Sequence, residues 1–434
     1  MYTSSMATAL LYALPLIGSA TGFPAPNAVP ERKWALTIDR PERFSHTHYK
    51  GRVIPKAVEL PAWASTPLTT LEKDITTTAN DAIANLFTYR DADFDFKNIS
   101  WWQVGNAYAA VASYDLFMGP AHQQQVTEGL HRLIERGDSG QSDPVGLENQ
   151  FNDDSLWWAL ACVDAYQVYG DAACATEAKR LWQWVKDTSL VVQTGIAPNM
   201  GGIQRTAVIS DQCALEYGTY WTTKPEEFYL NSITTGLMAQ ASARINEAVG
   251  ASNELVDVAQ GTIKFLRNHT VDAGQLLVNW DGVEGDKCSV SPGAYTYNTG
   301  VYLAALVSLF HASGDTTFLH EAEEVAYASM ETAYWTDGAG LITDGKGLVD
   351  NSDGAGFRSI LLRALVRLYK ATSNEDVKTE MRGFVNLNFN MMYTQARSGD
   401  DYDINWFGPF TKRTVWGQFV AVDLLAAAAI MNTQ

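Results

Sequence analysis

The chain has 434 residues, 46% of them hydrophobic and 18% charged, the composition of a globular protein with ample material for a core. Its formal net charge of −18 argues against nucleic acid or an anionic membrane as partner, because both require a basic surface. A neutral ligand such as a glycan meets no such Coulomb penalty.

In chain order, Ala7 to Ile17 is an apolar run too short to span a bilayer, and Gly18-Ser19-Ala20 follows with the small residues of a cleavage site. Residues 1–20 therefore read as a secretory signal, although Met1 to Met6 contains no Lys or Arg. Residues 21–66, rich in Pro and polar groups, read as an N-terminal arm. The triplets Asn98-Ile99-Ser100 and Asn268-His269-Thr270 are glycosylation acceptors and fit an extracellular protein. No second apolar stretch is expected to reach spanning length. The tail Leu424 to Met431, closed by Asn-Thr-Gln, lacks the pattern of a lipid-anchor signal.

Over 67–434 one pattern repeats: an amphipathic helix, a long loop, a nearly all-apolar helix and then a very short turn. The apolar members fall at approximately 102–118, 153–169, 229–249, 297–313, 355–372 and 412–431. The amphipathic members fall at 68–89, 121–136, 172–187, 253–268, 315–334 and 374–396. In the turns after the apolar helices Gly119-Pro120, Gly170-Asp171, Gly250-Ala251 and Gly314-Asp315 supply stop-and-start chemistry. A helix apolar on every side must be buried on every side. With no convincing strand between the pairs, the expectation is an all-α fold, an (α/α)6 barrel of six inner and six outer helices forming one domain. An open helical solenoid would want more uniform repeats and capping ends.

The long connections all lead into the apolar helices, so in a barrel they gather on one rim, where binding residues are usually carried. That rim holds Trp101, Trp102, Tyr220, Trp221, Trp280, Asp281, Tyr295, Tyr297, Trp335 and Trp406. It also holds Asp153 and Asp154, adjacent carboxylates at the start of the second apolar helix, with Trp157 and Trp158 one turn on. A bland reading makes the pair a helix cap and dipole partner, and the tryptophans core. The alternative is two proton-handling groups beside flat apolar faces, the parts that grip and cleave a sugar chain.

Other chemistries are poorly served. Gly137-Asp138-Ser139-Gly140 lacks the all-β setting of a serine protease, and no zinc, P-loop or dinucleotide fingerprint is present. The histidines are scattered, so no metal site and no cofactor are expected. Of the four cysteines, Cys213 and Cys288 lie in loops and are expected to bridge. Cys162 and Cys174 lie at unequal distances from their shared turn and read as buried thiols.

At Asn152-Asp153-Asp154-Ser155-Leu156-Trp157-Trp158-Ala159-Leu160-Ala161 the chain resembles glycoside hydrolase family 76, the endo-α-1,6-mannanases, particularly fungal ones. Supporting segments are Gly201-Gly202-Ile203, Asp281-Gly282, Tyr297-Asn298-x-Gly300, Gly356-Phe357-Arg358 with Arg363, and Trp406-Phe407-Gly408-Pro409. The resemblance covers about 70–432 and implies the same barrel. It implies Asp153 as nucleophile and Asp154 as acid/base. It also implies a substrate site drawn from Trp102, Asn152, Trp157, Trp221, Trp280, Asp281, Tyr297, Asn298, Arg358 and Trp406. Departures are Gln204-Arg205-Thr206 in place of a large aromatic group, and Arg358 in place of a lysine.

The physics accommodates that assignment. Neighbouring residues can hold carboxylates close to the ~5–5.5 Å of retaining glycosidases. At an effective dielectric near 20, two such charges repel by about 3 kcal/mol, or about two pKa units. The helix N-terminus opposes this by only about 0.3–1 kcal/mol, so one member can keep its proton while the other ionises. The expected protein is thus a secreted, monomeric hydrolase of internal bonds in α-1,6-mannan. The alternatives are a cell-wall mannan transglycosidase and a mannan-binding barrel without turnover.

Overall fold

A computed structural model of the chain describes residues 60–138, 146–192, 196–197, 205–206, 214–272, 274–278, 280–344 and 353–433. The signal expected over 1–20, and the arm up to residue 59, lie outside the described residues. The helices are α1 (Ile75–Phe87), α2 (Trp101–Met118), α3 (Gln123–Arg136), α4 (Asn152–Tyr169), α5 (Ala172–Ser189) and α6 (Ser232–Ala248). They continue as α7 (Asn253–His269), α8 (Thr296–Ser313), α9 (Thr316–Glu331), α10 (Phe357–Ala371), α11 (Glu375–Gln395) and α12 (Val415–Thr433).

The even-numbered helices pack side by side in chain order, and α12 closes the ring on α2. The odd-numbered helices lie outside them, α3 and α5 on α4, α7 on α6, α9 on α8, and α1 and α11 on α12. This is the expected (α/α)6 barrel. Sequence chemistry explains the division. On α3 the buried residues are Val126, Gly129, Leu130 and Leu133, a single stripe at helical spacing. On α12 every residue from Val415 to Met431 is buried. That helix is in fact long and apolar enough to cross a membrane, contrary to the expectation above, but here it is an inner stave of the barrel.

The predicted Gly-Asp turns form as expected, whereas α6 ends at Ala248, before Gly250. Gly170 takes a left-handed conformation (φ 72°) at the end of α4, and the Asp171 side chain caps α5 by accepting from the Cys174 amide at 3.0 Å. Gly314 and Asp315 repeat this between α8 and α9.

Three expectations need correction. Helix α1 begins at Ile75, not 68, because Asp74 accepts from the Thr77 amide and caps it there. Helix α6 begins at Ser232, not 229, because Tyr229–Asn231 is a strand whose last residue caps the helix. That strand belongs to a three-stranded antiparallel sheet with Trp280–Glu284 at its centre and Ser289–Pro292 beyond. Strands of three to five residues containing Asp, Gly and Pro carry no alternation to read; docking on the barrel forms them.

Of the N-terminal arm, a 3-10 turn at Ala62–Ser65 is seen packed on α11. Cys162 and Cys174 are buried free thiols, as expected. Their offset in the turn does not isolate them, however: the Cys174 thiol, and then burial, push the Cys162 thiol well above its ordinary range. The proposed Cys213 partner of Cys288 lies outside the described residues.

Candidate active site

Helix α4 begins at Asn152, so Asp153 and Asp154 are its second and third residues, and the N-cap position belongs to Phe151. Neither aspartate is the cap that the bland reading required. Asn152 is fully buried; its side-chain amide donates to Ser189 Oγ and to the Tyr220 carbonyl, both at 2.8 Å. Its backbone amide donates to the Trp221 carbonyl at 2.8 Å. Asn152 therefore pins the start of α4 to the segment around Trp221. The two aspartates that follow are half-buried and project about 100° apart around the helix.

From Asp153 a chain of fixed groups runs around the rim. The Trp221 indole N–H lies 3.3 Å from Asp153 Oδ2, a donor-only group directed at a carboxylate. Tyr229 meets the Trp221 ring edge-on, with centroids 6.4 Å apart. Its hydroxyl donates to Asp281 Oδ2 at 2.7 Å, and Asn298 donates to Asp281 Oδ1 at 3.3 Å. Asp281 sits where the register of its strand shifts, and such irregularities re-aim a side chain. Gly282 beside it faces Asn231 so closely that a β-carbon would come within 2.6 Å of the Leu230 carbonyl oxygen, which explains the Asp-Gly pair.

The ring continues through aromatics. Tyr297 stacks on Phe357 with centroids 3.8 Å apart, and Tyr295 packs edge-on against both. Phe357 lies near Trp102, and Trp102 near Trp157, with centroids 6.2 and 5.9 Å apart. The Tyr297 phenol is pushed well above its ordinary range, first by burial and then by the charges of Asp281 and Asp153. It therefore stays a neutral hydrogen-bonding group beside those carboxylates. Burial and then Asp281 likewise raise Tyr229 and Tyr295. Trp280 and Tyr295 remain 39% and 40% exposed and offer open faces on the same rim.

Arg358 and Trp406 form a separate cluster. Arg358 is fully buried, with its guanidinium 3.7 Å from the centre of the Trp406 ring, and it donates to the carbonyls of Asp344 and Ile404. Burial pulls it down to about 10. Both residues hold the loop before α12. Arg363 is deeper still, paired with Asp423 at 2.7 Å. Two residues of the rim escaped the sequence reading as site members: Tyr229, taken as helix, and Phe357, noted only within its motif. Gly201-Gly202-Ile203 lies outside the described residues.

Two carboxylates thus stand at the entrance of an aromatic-lined helical barrel. The sequence profile described as glycosyl hydrolase family 76 matches residues 71–434, and the chain belongs to that family. Over 282 residues it is 23% identical to the mannan endo-1,6-alpha-mannosidase DFG5 of Candida albicans, a match covering 61% of this chain and 57% of that protein. The chain thus spans less than three fifths of the curated relatives it matches, 57% and 58% of their lengths.

Among solved structures, it is similar to an inactive variant of the alpha-1,6-mannanase GH76A of Salegentibacter sp. HEL1_6, with two adjacent aspartates replaced, in complex with alpha-1,6-mannotetrose. The TM-score is 0.69 at 19% identity, covering 83% of this chain and all of that one. It is also similar to Dfg5 from Chaetomium thermophilum in complex with glucosamine, with TM-score 0.64 and 13% identity over 84% of this chain and 92% of that one. At such identities the likeness establishes the shared fold.

Proposed function

We propose that this chain hydrolyses internal bonds of α-1,6-linked mannan with retention of configuration, with Asp153 as nucleophile and Asp154 as acid/base. The observation that carries the reading is the Trp221 indole directed at Asp153 Oδ2, at the focus of a rim of aromatic residues. A donor-only group there favours the ionised carboxylate that a nucleophile requires. Asp153 attacks the anomeric carbon while Asp154 protonates the departing O6 of the next mannose. Water activated by Asp154 then releases the sugar, and no cofactor enters. The exposed faces of Trp280 and Tyr295 supply stacking platforms for sugars away from the cleavage point, which favours endo action. We further propose that the protein is secreted and acts as a monomer outside the cell.

In a second reading, another sugar rather than water intercepts the mannosyl enzyme. Incubation with unbranched α-1,6-mannan separates the two. Hydrolysis releases new reducing ends as a spread of short oligosaccharides, whereas transfer makes longer chains without a net gain in reducing ends. Proton NMR in the first minutes should show the α-anomer; prior appearance of the β-anomer would overturn the nucleophile assignment.

A further inference from the structure

We propose that the barrel interior beneath the aspartate pair binds one small monovalent anion, with chloride as the probe that tests it. Helical spacing assembles the site. Arg363 and Arg367 lie one turn apart on α10, Gln240 and Arg244 one turn apart on α6, and Trp157, Leu160 and Asp164 along one face of α4. These residues, Arg244 excepted, line a cavity with about 20 Å³ of room for the centre of a water-sized particle. One such particle needs ~10–15 Å³, so the cavity holds a single small ion and excludes a sugar or a phosphate. At 1.5 Å of rise per residue it spans ~6–16 Å below Asp153 along α4, beneath the sugar site.

The charges around the cavity do not balance. Arg244 and Arg367 both donate to one oxygen, Asp164 Oδ1, at 2.7 and 2.6 Å, so their guanidiniums are adjacent. Arg363 donates through two nitrogens to the Asp423 carboxylate, at 3.0 and 2.7 Å. Three guanidiniums thus meet two carboxylates. The next carboxylate, Glu247, is 26% exposed and engages His311 at 3.2 Å, nearer to solvent. Donors are also left over. Arg367 Nε, and Nε and Nη1 of Arg244, are buried without a hydrogen-bond partner among the described residues. Unpaired buried N–H groups of a cation are costly, and in native proteins such orphans point to a bound water or ion.

Charge decides between those two. Water fills the space but leaves the surplus cation unmatched in a poorly solvated interior, whereas a monovalent anion neutralises it. The Asp164 carboxylate on the cavity wall does not oppose this, because two guanidiniums already outweigh it. The surplus is felt by Arg367 itself, which burial and then Arg244 draw down to about 10. Gln240 faces α10 across the cavity and contributes amide N–H donors without adding charge. The whole chain carries −18, so an anion is held only where the local sign is reversed, as it is here. Bound there, the ion ties α4, α6 and α10 together below Trp157, whose ring lies 5.9 Å from that of Trp102 at the rim.

The test is thermal unfolding of the full-length protein dialysed into sodium gluconate, whose anion is too large for the cavity, with chloride then exchanged in at constant ionic strength. The melting temperature of wild type should rise saturably, by about 2 °C or more, and bromide should act as chloride does. Crystals grown in bromide should show one anomalous peak in contact with the Arg367 guanidinium. Gln240→Glu, nearly the same shape, places a carboxylate where the ion would sit. It should melt in gluconate at least as high as wild type does in gluconate, and ignore chloride. Arg367→Met removes the surplus cation and should also abolish the response; should it fail to fold, Gln240→Glu still reports. A wild-type melting temperature equal in chloride and gluconate, a cavity that holds only water in the bromide crystals, or a Gln240→Glu protein that is destabilised in gluconate or keeps the wild-type chloride response would each overturn the proposal.

Discussion

Helix α4 carries aspartates in two opposite settings, and the contrast separates chemistry from architecture. At its start Asp153 and Asp154 are half-buried, next to one another, and face a rim of aromatic rings. Three turns deeper, Asp164 is buried and accepts from Arg244 at 2.7 Å and Arg367 at 2.6 Å. Burial raises the Asp164 carboxyl, but the guanidiniums of Arg244 and Arg367 outweigh it and hold the group below its ordinary range. The arginines bear the cost, since burial and the neighbouring Arg244 draw Arg367 down to about 10. A carboxylate locked between two cations cannot exchange a proton near neutrality. The pair at the rim is half-buried beside aromatic rings, and it is the one that the proposed chemistry uses.

The largest effect should come from breaking the rim pair. Asp153→Asn and Asp154→Asn should each lower mannan hydrolysis by about 10²–10⁴-fold or more, as loss of a nucleophile or proton donor does. Neither residue caps α4, so melting temperature should move by less than the ~2–4 °C that corresponds to 1 kcal/mol. Near-normal turnover in either purified variant would return the pair to a structural role.

Asp164→Asn should do the reverse, lowering stability by about 3–5 kcal/mol in urea unfolding because two buried cations lose their partner. The same site predicts a pH dependence. A carboxyl whose folded pKa lies below its unfolded value, about 3.9, contributes stability that is complete above that value. The contribution is lost as pH falls through the folded pKa. Wild type should therefore destabilise on acidification below about pH 4 more steeply than Asp164→Asn. Parallel acid limbs would mean that Asp164 does not govern this transition.

The same contrast measures how much of the molecule the sequence reveals. Inner and outer helices were legible because burial writes its period directly into the chain: α3 shows one stripe and α12 shows none. Asp153 and Asp154 were legible as a local block at a helix start. Tyr229 was not, because its role depends on Asp281, 52 residues away, through a hydrogen bond that only the sheet creates. Arg358 and Asn152 show the converse. Their residue types suit sugar binding, yet their side chains hold loops and helix starts. Polar groups are ambiguous until partners distant in sequence are known.

An intermediate effect is expected at Tyr229, where Tyr229→Phe removes only the hydroxyl that donates to Asp281. Hydrogen bonds to charged groups contribute about 1.5–3 kcal/mol, so a loss of about 10–100-fold in kcat/KM on α-1,6-mannan is expected. If Asp281 contacts sugar, the loss should appear mainly in KM. An unchanged KM with lowered kcat would instead link Tyr229 to Asp153 through Trp221.

The smallest effect is expected at Trp280. Its ring is 39% exposed and its strand neighbours the one that carries Tyr229, so truncation should leave the fold intact. A stacking platform for one sugar resembles an exposed aromatic contact, worth about 0.5–1.5 kcal/mol, or roughly 2–10-fold in affinity. Trp280→Ala should therefore raise KM by that factor on long mannan chains with kcat nearly constant. The shortest oligosaccharides that are still cleaved should show little change, because they need not reach that platform. An equal loss on short and long substrates would place Trp280 beside the scissile bond, and no loss on either would leave its exposed face without a part in binding.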